Sequence, residues 1–104
     1  MVKNQGRVTG VRVPQPVSIE QAVSTYYERS ELSSSDIKRL FNISANSTIA
    51  KLKNLARTQM TEDNAIVFDG RNVSTASAYA AWGLDISNLE QRLKKLKQLR
   101  ELTA

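Results

Sequence analysis

Residues 34–53 read SSDIKRLFNISANSTIAKLK, two amphipathic segments joined by a short polar turn. In each segment the apolar residues recur every three or four positions, which is the spacing of one helix face. Serine and aspartate at the start of the first segment favour a helix N-terminus. The stretch therefore predicts a short helix, a turn and a longer helix that ends near Met60. The inward-facing residues would be Ile37, Leu40 and Phe41 in the first helix and Ile49, Leu52 and Leu55 or Ala56 in the second.

The turn between these two helices is predicted at residues 42–44. Asn42 tolerates the left-handed backbone conformation that often ends a helix. Ser44 has a hydroxyl that can accept a hydrogen bond from a backbone N–H of the following helix. We expect Ile43 to point into the core, so that the outer face of the second helix stays uncovered.

Before this stretch the sequence predicts an arm and a helix. Residues 1–17 contain Pro14 and Pro16, which disfavour helix and indicate an extended arm. Ser18 and Gln21 then form a capping box at the start of an amphipathic helix.

After this stretch the sequence predicts a hairpin and two more helices. Residues 66–68 and 71–73 flank Asp69-Gly70, which indicates a short hairpin around an Asp-Gly turn. Ser74 or Thr75 then begins a helix of small residues that ends at Gly83. Ser87 and Glu90 form a second capping box, which opens a leucine-rich final helix.

The composition argues against catalysis. The chain has no cysteine and no histidine, so the commonest metal ligands and the commonest general base are missing. Glu62, Asp63 and Asp69 are clustered acids, but no nucleophile and base are spaced to cooperate with them. We expect no enzymatic activity, no metal and no cofactor. With neither an apolar leader nor a run near the ~18 apolar residues of a membrane span, we also expect a cytoplasmic protein with no membrane partner.

The charge distribution indicates an anionic partner. The formal net charge is +5, and a basic surface attracts a polyphosphate by releasing its condensed counterions. Basic residues dominate residues 1–17, 36–60 and 86–104, while acids lie mainly between these ranges. Charge runs also serve simply to solvate helices. The overlap of the second basic range with the two-helix stretch favours nucleic acid.

Residues 37–44, followed by Ser47, Thr48 and Ile49, resemble the helix-turn-helix motif of bacterial and phage regulators. In those proteins Gly usually stands at the position of Asn42 and Ala at that of Lys38, and the interval between Ser44 and Ile49 is here one residue longer. The resemblance implies an all-α fold with a three-helix core, in which a hairpin over 66–73 would be a wing, plus the C-terminal leucine-rich helix. The domain organisation would be an arm at 1–17, a DNA-binding core at 18–73 and packing or dimerisation helices at 74–104.

The same resemblance implies specific roles for side chains on the motif. The second helix would lie in the DNA major groove, with polar residues on base edges and flanking residues on phosphate. Their other interpretation is a solvated helix surface. The expected base contacts are Asn46, Ser47, Lys51 and Asn54; the phosphate contacts are Ser44, Lys38, Arg39, Lys53 and Arg57; the arm and wing contacts are Arg7, Arg12 and Arg71.

The final helix carries a leucine stripe that drifts across its face instead of repeating as a heptad. The stripe would either cover the chain's own core or pair two chains as a homodimer, since a single module of this size buries little DNA-contacting surface. The pairing residues would be Leu89, Leu93, Leu96 and Leu99.

The function expected from these features is sequence-specific binding to double-stranded DNA, as a small transcriptional regulator of phage or mobile-element type. One alternative is a DNA-packaging or excision accessory protein that uses the same motif. Another is a protein–protein interaction module that docks through the leucine helix.

Overall fold

The computed structural model describes residues 13–103, and over this range the chain is mainly helical with one small sheet. Arg7 and Arg12 of the expected arm lie outside the described residues. No helix within residues 13–103 is both long enough and apolar enough to cross a membrane. The elements are α1 (Ile19–Glu28), β1 (Glu31–Leu32), α2 (Ser34–Phe41), α3 (Asn46–Asp63), β2 (Val73–Ser74), α4 (Thr75–Ala81) and α5 (Ile86–Thr103).

Helix α2 begins and ends as its sequence predicts. The Ser33 hydroxyl accepts a hydrogen bond from the Asp36 N–H at 3.2 Å, and the Asp36 carboxylate accepts one from the Ser33 N–H at 3.0 Å. These reciprocal bonds satisfy two N–H groups that have no partner within the helix. The helix ends at Asn42, which adopts the left-handed conformation with φ 54° and ψ 51°. Its predicted apolar residues are all buried: Ile37, Leu40 and Phe41.

The cap predicted for α3 at Ser44 is wrong. The helix starts one residue later than that prediction requires, with Ala45 as its N-cap and no side-chain cap. The carbonyl of Ala45 accepts hydrogen bonds from the N–H groups of Thr48 and Ile49, both at 3.1 Å. Ser44 is therefore exposed in the turn, with its hydroxyl outside the cap. The interval between Ser44 and Ile49 is one residue longer than in the motif that it resembles. Ser44 therefore lies one position before the N-cap of α3.

The predicted hairpin over 66–73 does not form. Val73–Ser74 pairs instead with β1, antiparallel, with Leu32 opposite Val73 and Glu31 opposite Ser74. Residues 65–72 form a loop without strand structure. The loop backbone finds its partner in the Glu31 carboxylate, which accepts hydrogen bonds from the N–H groups of Phe68 and Asp69. Burial of Val73 against Leu32 explains why strand pairing occurs there and not across the Asp-Gly turn.

Helix α4 lies at the centre of the core, and it and its C-cap residue Trp82 donate hydrogen bonds to α1 and α3. The Tyr79 hydroxyl donates to the Ala22 carbonyl at 2.6 Å, and Trp82 Nε1 donates to the Leu52 carbonyl at 2.9 Å. Burial raises the pKa of the Tyr79 phenol. The Trp82 ring also meets Phe41 edge-on, with ring centroids 5.3 Å apart. One hydrophobic cluster thus contains residues from both of the ranges that the sequence predicts to be separate, 18–73 and 74–104.

Helix α5 runs antiparallel to α1. Gly83, with φ 74°, allows the sharp turn before it, as predicted. The helix starts at Ile86, and the Asp85 carboxylate accepts a hydrogen bond from the Ser87 N–H at 3.0 Å, so the capping box predicted at Ser87 is wrong. At the other end Arg100 pairs with Glu20 of α1 at 2.6 Å.

Candidate nucleic-acid interface

The outer face of α3 is polar and exposed along its first half. Its inner face buries Ile49, Leu52 and Ala56 against the core. The side chains at positions 47, 51 and 54 follow one another at helical spacing along roughly 10 Å of axis, because each residue adds about 1.5 Å. The four predicted base-contacting residues are all exposed: Asn46, Ser47, Lys51 and Asn54.

One side of this face is bordered by three cationic residues, which we call the basic flank: Lys53, Arg57 and Arg71. Lys53 Nζ and Arg57 Nη2 both donate to the Arg71 carbonyl, at 2.8 and 3.3 Å. The loop over 65–72 is therefore held against α3 at the middle of the helix. Sequence reasoning places Lys53 and Arg57 on the helix surface, but it gives no reason to expect their shared contact with Arg71.

The electrostatics of the basic flank favour an anion. Partial burial lowers the pKa of Lys53, and the nearby charges of Arg57 and Arg71 lower it further. Asp69 acts in the opposite direction on the pKa of Lys53, by more than Arg71 lowers it and by less than Arg57 does. The Asp69 carboxylate itself is engaged by Arg71 at 2.9 Å. The Arg71 hydrogen bonds hold the pKa of Asp69 at about 2, so this carboxylate stays ionised. A phosphate placed against the flank would relieve the repulsion among its cations.

The remaining predicted phosphate contacts lie on α2 and in the turn. Arg39 is exposed but lies 3.4 Å from Asp36, and Arg29 approaches the same carboxylate at 3.4 Å. Lys38 is half-buried, and Ser44 is exposed immediately before α3. The structure thus brings Lys53, Arg57 and Arg71 together beside α3, while Arg39 belongs to a separate ion-pair cluster.

The loop over 65–72 carries a feature that sequence reasoning missed. Phe68 is 99% exposed and Ile66 is 91% exposed, although both are large apolar residues. In a strand Ile66 and Phe68, two positions apart, would lie on the same face, which the fold could bury, so the hairpin prediction conceals their exposure. A groove of about 570 Å³ separates this loop from the C-terminal half of α3, with Arg57 and Met60 on the helix side.

The leucines of α5 differ in exposure along the helix. Leu89 is 5% exposed and belongs to the chain's own core. Leu93 and Leu96 are half-buried, and Leu93 lines a groove between α5 and α1. Leu99 is 59% exposed and Leu102 is 81% exposed. The first turns of the stripe therefore pack within the chain, and apolar surface increases toward the end of the helix.

Compared with models of protein families, with curated proteins and with solved structures, the chain matches none of them. The exposed face of α3 and the basic flank are therefore the features from which a function can be inferred.

Proposed function

We propose that the protein binds double-stranded DNA in a sequence-specific way, through a helix-turn-helix formed by α2, residues 42–45 and α3. The observation that carries this proposal is the exposed polar face of α3 with the basic flank beside it. A helix that only covers the core also has a polar outer face, but it has no requirement for three cationic residues placed together beside that face.

In the proposed complex the first half of α3 lies in the major groove. The Asn46 and Asn54 amides offer both a donor and an acceptor, which matches the edge of adenine. Lys51 donates to acceptors on guanine, and Ser47 bonds either a base or a phosphate. These contacts supply sequence preference.

The basic flank supplies affinity that is independent of sequence. Lysine and arginine have several donors each, so Lys53 and Arg57 retain N–H groups for phosphate while they hold the Arg71 carbonyl. Lys38 and Arg39 of α2, with Ser44 of the turn, would contact the DNA phosphate backbone away from the basic flank. Two copies of the chain would contact two half-sites, and the exposed end of α5 around Leu102 is the surface proposed for their pairing.

The test is a binding measurement on duplexes selected from a random pool, titrated over a range of salt concentrations. We expect Lys51→Ala to weaken the selected site relative to random DNA, because it removes a base contact. Lys95→Ala is the matched control, since it removes one exposed lysine from α5 and leaves α3 intact. Lys53→Ala should weaken all duplexes alike and reduce the slope of log K against log salt by about 1.

Two results would refute the proposal. The first is an absence of binding to any duplex at low salt. The second is equal weakening by Lys51→Ala and Lys95→Ala, which would show that only net charge matters.

A second candidate function is protein–protein interaction through α5, which the exposure of Leu102 favours. Such a protein would bind no DNA at moderate ionic strength. Solution mass in the presence and absence of DNA separates it from the regulator, and it also detects the larger ring expected of a packaging protein.

A further inference from the structure

The tip of the loop over 65–72 carries two large apolar side chains that the fold does not use. Phe68 is 99% exposed and Ile66 is 91% exposed, so neither contributes to the core. Exposed apolar side chains that together form a patch mark contacts with other molecules, and Ile66 and Phe68 are two residues apart in one loop.

The backbone beneath Phe68 is fixed. The Glu31 carboxylate accepts hydrogen bonds from the Phe68 N–H, from the Asp69 N–H at 3.3 Å and from Asn72 Nδ2 at 3.1 Å. The Asp69 carboxylate in turn accepts the Arg71 N–H at 2.9 Å. A loop whose backbone and Asn72 side chain donate three hydrogen bonds to Glu31 loses little conformational entropy when its tip is inserted into a partner.

The partner must be compatible with positive charge. The same loop contacts α3 through the Arg71 carbonyl, which Lys53 and Arg57 hold, so the apolar tip lies next to the basic flank. Two carboxylates lie at the loop: Asp69, which Arg71 contacts at 2.9 Å, and Glu31, which accepts the Phe68 and Asp69 N–H groups. Against these two acids stand Lys53, Arg57 and Arg71, so the local balance is positive by one charge. An apolar protein surface gains nothing from these cations, whereas stacked bases between phosphates satisfy both the apolar tip and the flank.

We infer that Phe68 is a wedge that enters between two stacked base pairs from the minor groove and bends the DNA. This inference rests on the proposed function. With α3 in the major groove and the flank on the intervening phosphates, the loop reaches the neighbouring minor groove. Proteins that insert apolar side chains in this way unstack a base step and kink the duplex by roughly 20–90°.

The experiment uses the full chain and the duplex selected in the binding assay. Energy transfer between dyes at the two DNA ends reports bending, and 2-aminopurine placed at successive steps reports unstacking. Phe68→Ala is the test variant, and Phe68→Leu keeps an apolar wedge. Val17→Ala is the control, because Val17 is an exposed apolar residue outside this loop.

We expect the wild-type chain and Val17→Ala to bend the duplex and raise 2-aminopurine emission at one step. Phe68→Ala should still bind but lose most of the bend and all of the emission change, and Phe68→Leu should retain part of both. Unchanged bending by Phe68→Ala, with binding intact, would refute the wedge while leaving the proposed function standing. A change in the solution mass of the free protein on Phe68→Ala, without a change in bending, would assign the loop to protein contact and also refute the wedge. Failure of the wild-type chain to bind DNA at all would refute both proposals.

Discussion

Helices α3 and α5 have the same length, 18 residues, and each carries more basic than acidic residues, yet the rest of the chain covers them differently. Helix α3 buries its apolar face against α4, where Trp82 bonds the Leu52 carbonyl. Helix α5 packs on α1, which has only 10 residues, and its leucines become progressively exposed toward Leu102.

The different packing of α3 and α5 leaves two kinds of exposed surface, one polar and one apolar. A helix that is covered along its inner side holds its polar outer face in a fixed orientation, which suits the reading of a regular structure such as DNA. A helix that extends past its packing partner exposes apolar residues, which suits pairing with another chain. This contrast is the physical basis for assigning DNA contact to α3 and pairing to α5.

The free energy of unfolding should fall most when the packing of α3 against the core is weakened. Trp82→Ala removes a buried ring and its hydrogen bond to α3, and such truncations cost about 3–5 kcal/mol of unfolding free energy. Leu102→Ala, at the exposed end of α5, should change the unfolding free energy by less than about 0.5 kcal/mol. Urea denaturation at low protein concentration measures both values. Equal losses in the two variants would remove the proposed distinction between the helices.

The next effect concerns the exposed end of α5. Leu102→Glu places a charge on the proposed pairing surface, and we expect the dissociation constant for self-association to rise by at least about tenfold, which corresponds to about 1.4 kcal/mol. Sedimentation equilibrium measures this constant. Asn88→Glu is the charge-matched control, because Asn88 is exposed on the same helix but lies about 21 Å from Leu102 along its axis. A chain that is already monomeric at high concentration would contradict the pairing.

A smaller change in the free energy of unfolding should come from Thr75, in the core at the start of α4. The Thr75 hydroxyl is buried at the start of α4 and has no hydrogen-bond partner within residues 13–103. Replacing this hydroxyl with a methyl in Thr75→Val should stabilise the fold by about 1 kcal/mol, because the cost of burying an unpaired group is removed. Thr61→Val on the exposed side of α3 is the control, with an expected change below about 0.5 kcal/mol. Destabilisation by Thr75→Val would show that the hydroxyl has a role in the fold.

The smallest effect is the pH dependence of the loop over 65–72. The hydrogen bond from the Phe68 N–H, with that from Asn72, lowers the pKa of Glu31 below its ordinary value of 4.5, and the pKa of Asp69 is about 2. Both carboxylates are favoured ionised in the fold, so their contribution is present above the unfolded pKa values and is lost as pH falls through the lower folded values. The loop should therefore stay anchored at pH 4.5 and loosen as the pH approaches 2.

The amide proton shift of Phe68, followed by NMR from pH 6 to pH 2, measures this release. We expect a transition with an apparent pKa below 4.5, and in Glu31→Gln only the change near pH 2 that belongs to Asp69. A midpoint at or above 4.5 in the wild-type chain would contradict the anchoring of the loop by Glu31.

The helices were predictable from local signals, and the tertiary contacts of the loop were not. The Ser33–Asp36 capping box, Asn42 and Gly83 each mark a helix end through chemistry that depends only on neighbouring residues. The pairing of β1 with β2 joins two-residue strands, which are too short to show any periodicity. For that reason the Asp-Gly turn signal suggested a hairpin that the chain does not form.

The candidate site also combines features that local sequence patterns predict with features that long-range contacts determine. The exposure of Asn46 and Lys51 follows from the helical period of α3, so the sequence was sufficient to place them on the outer face. The contact of Lys53 and Arg57 with the Arg71 carbonyl depends on where the loop packs, and the loop position depends on Glu31, which lies far away in the sequence. Long-range contacts of this kind leave no local pattern.

The proposed DNA-binding face of α3 is tested by an NMR titration of the labelled chain with the selected duplex. We expect the amide signals of Asn46, Ser47, Lys51 and Asn54 to shift most, followed by those of Lys53 and Arg57. The signals along the outer face of α5 should stay in place up to saturation of one half-site. Shifts concentrated on α5, with the α3 signals unmoved, would contradict the assignment of DNA contact to α3.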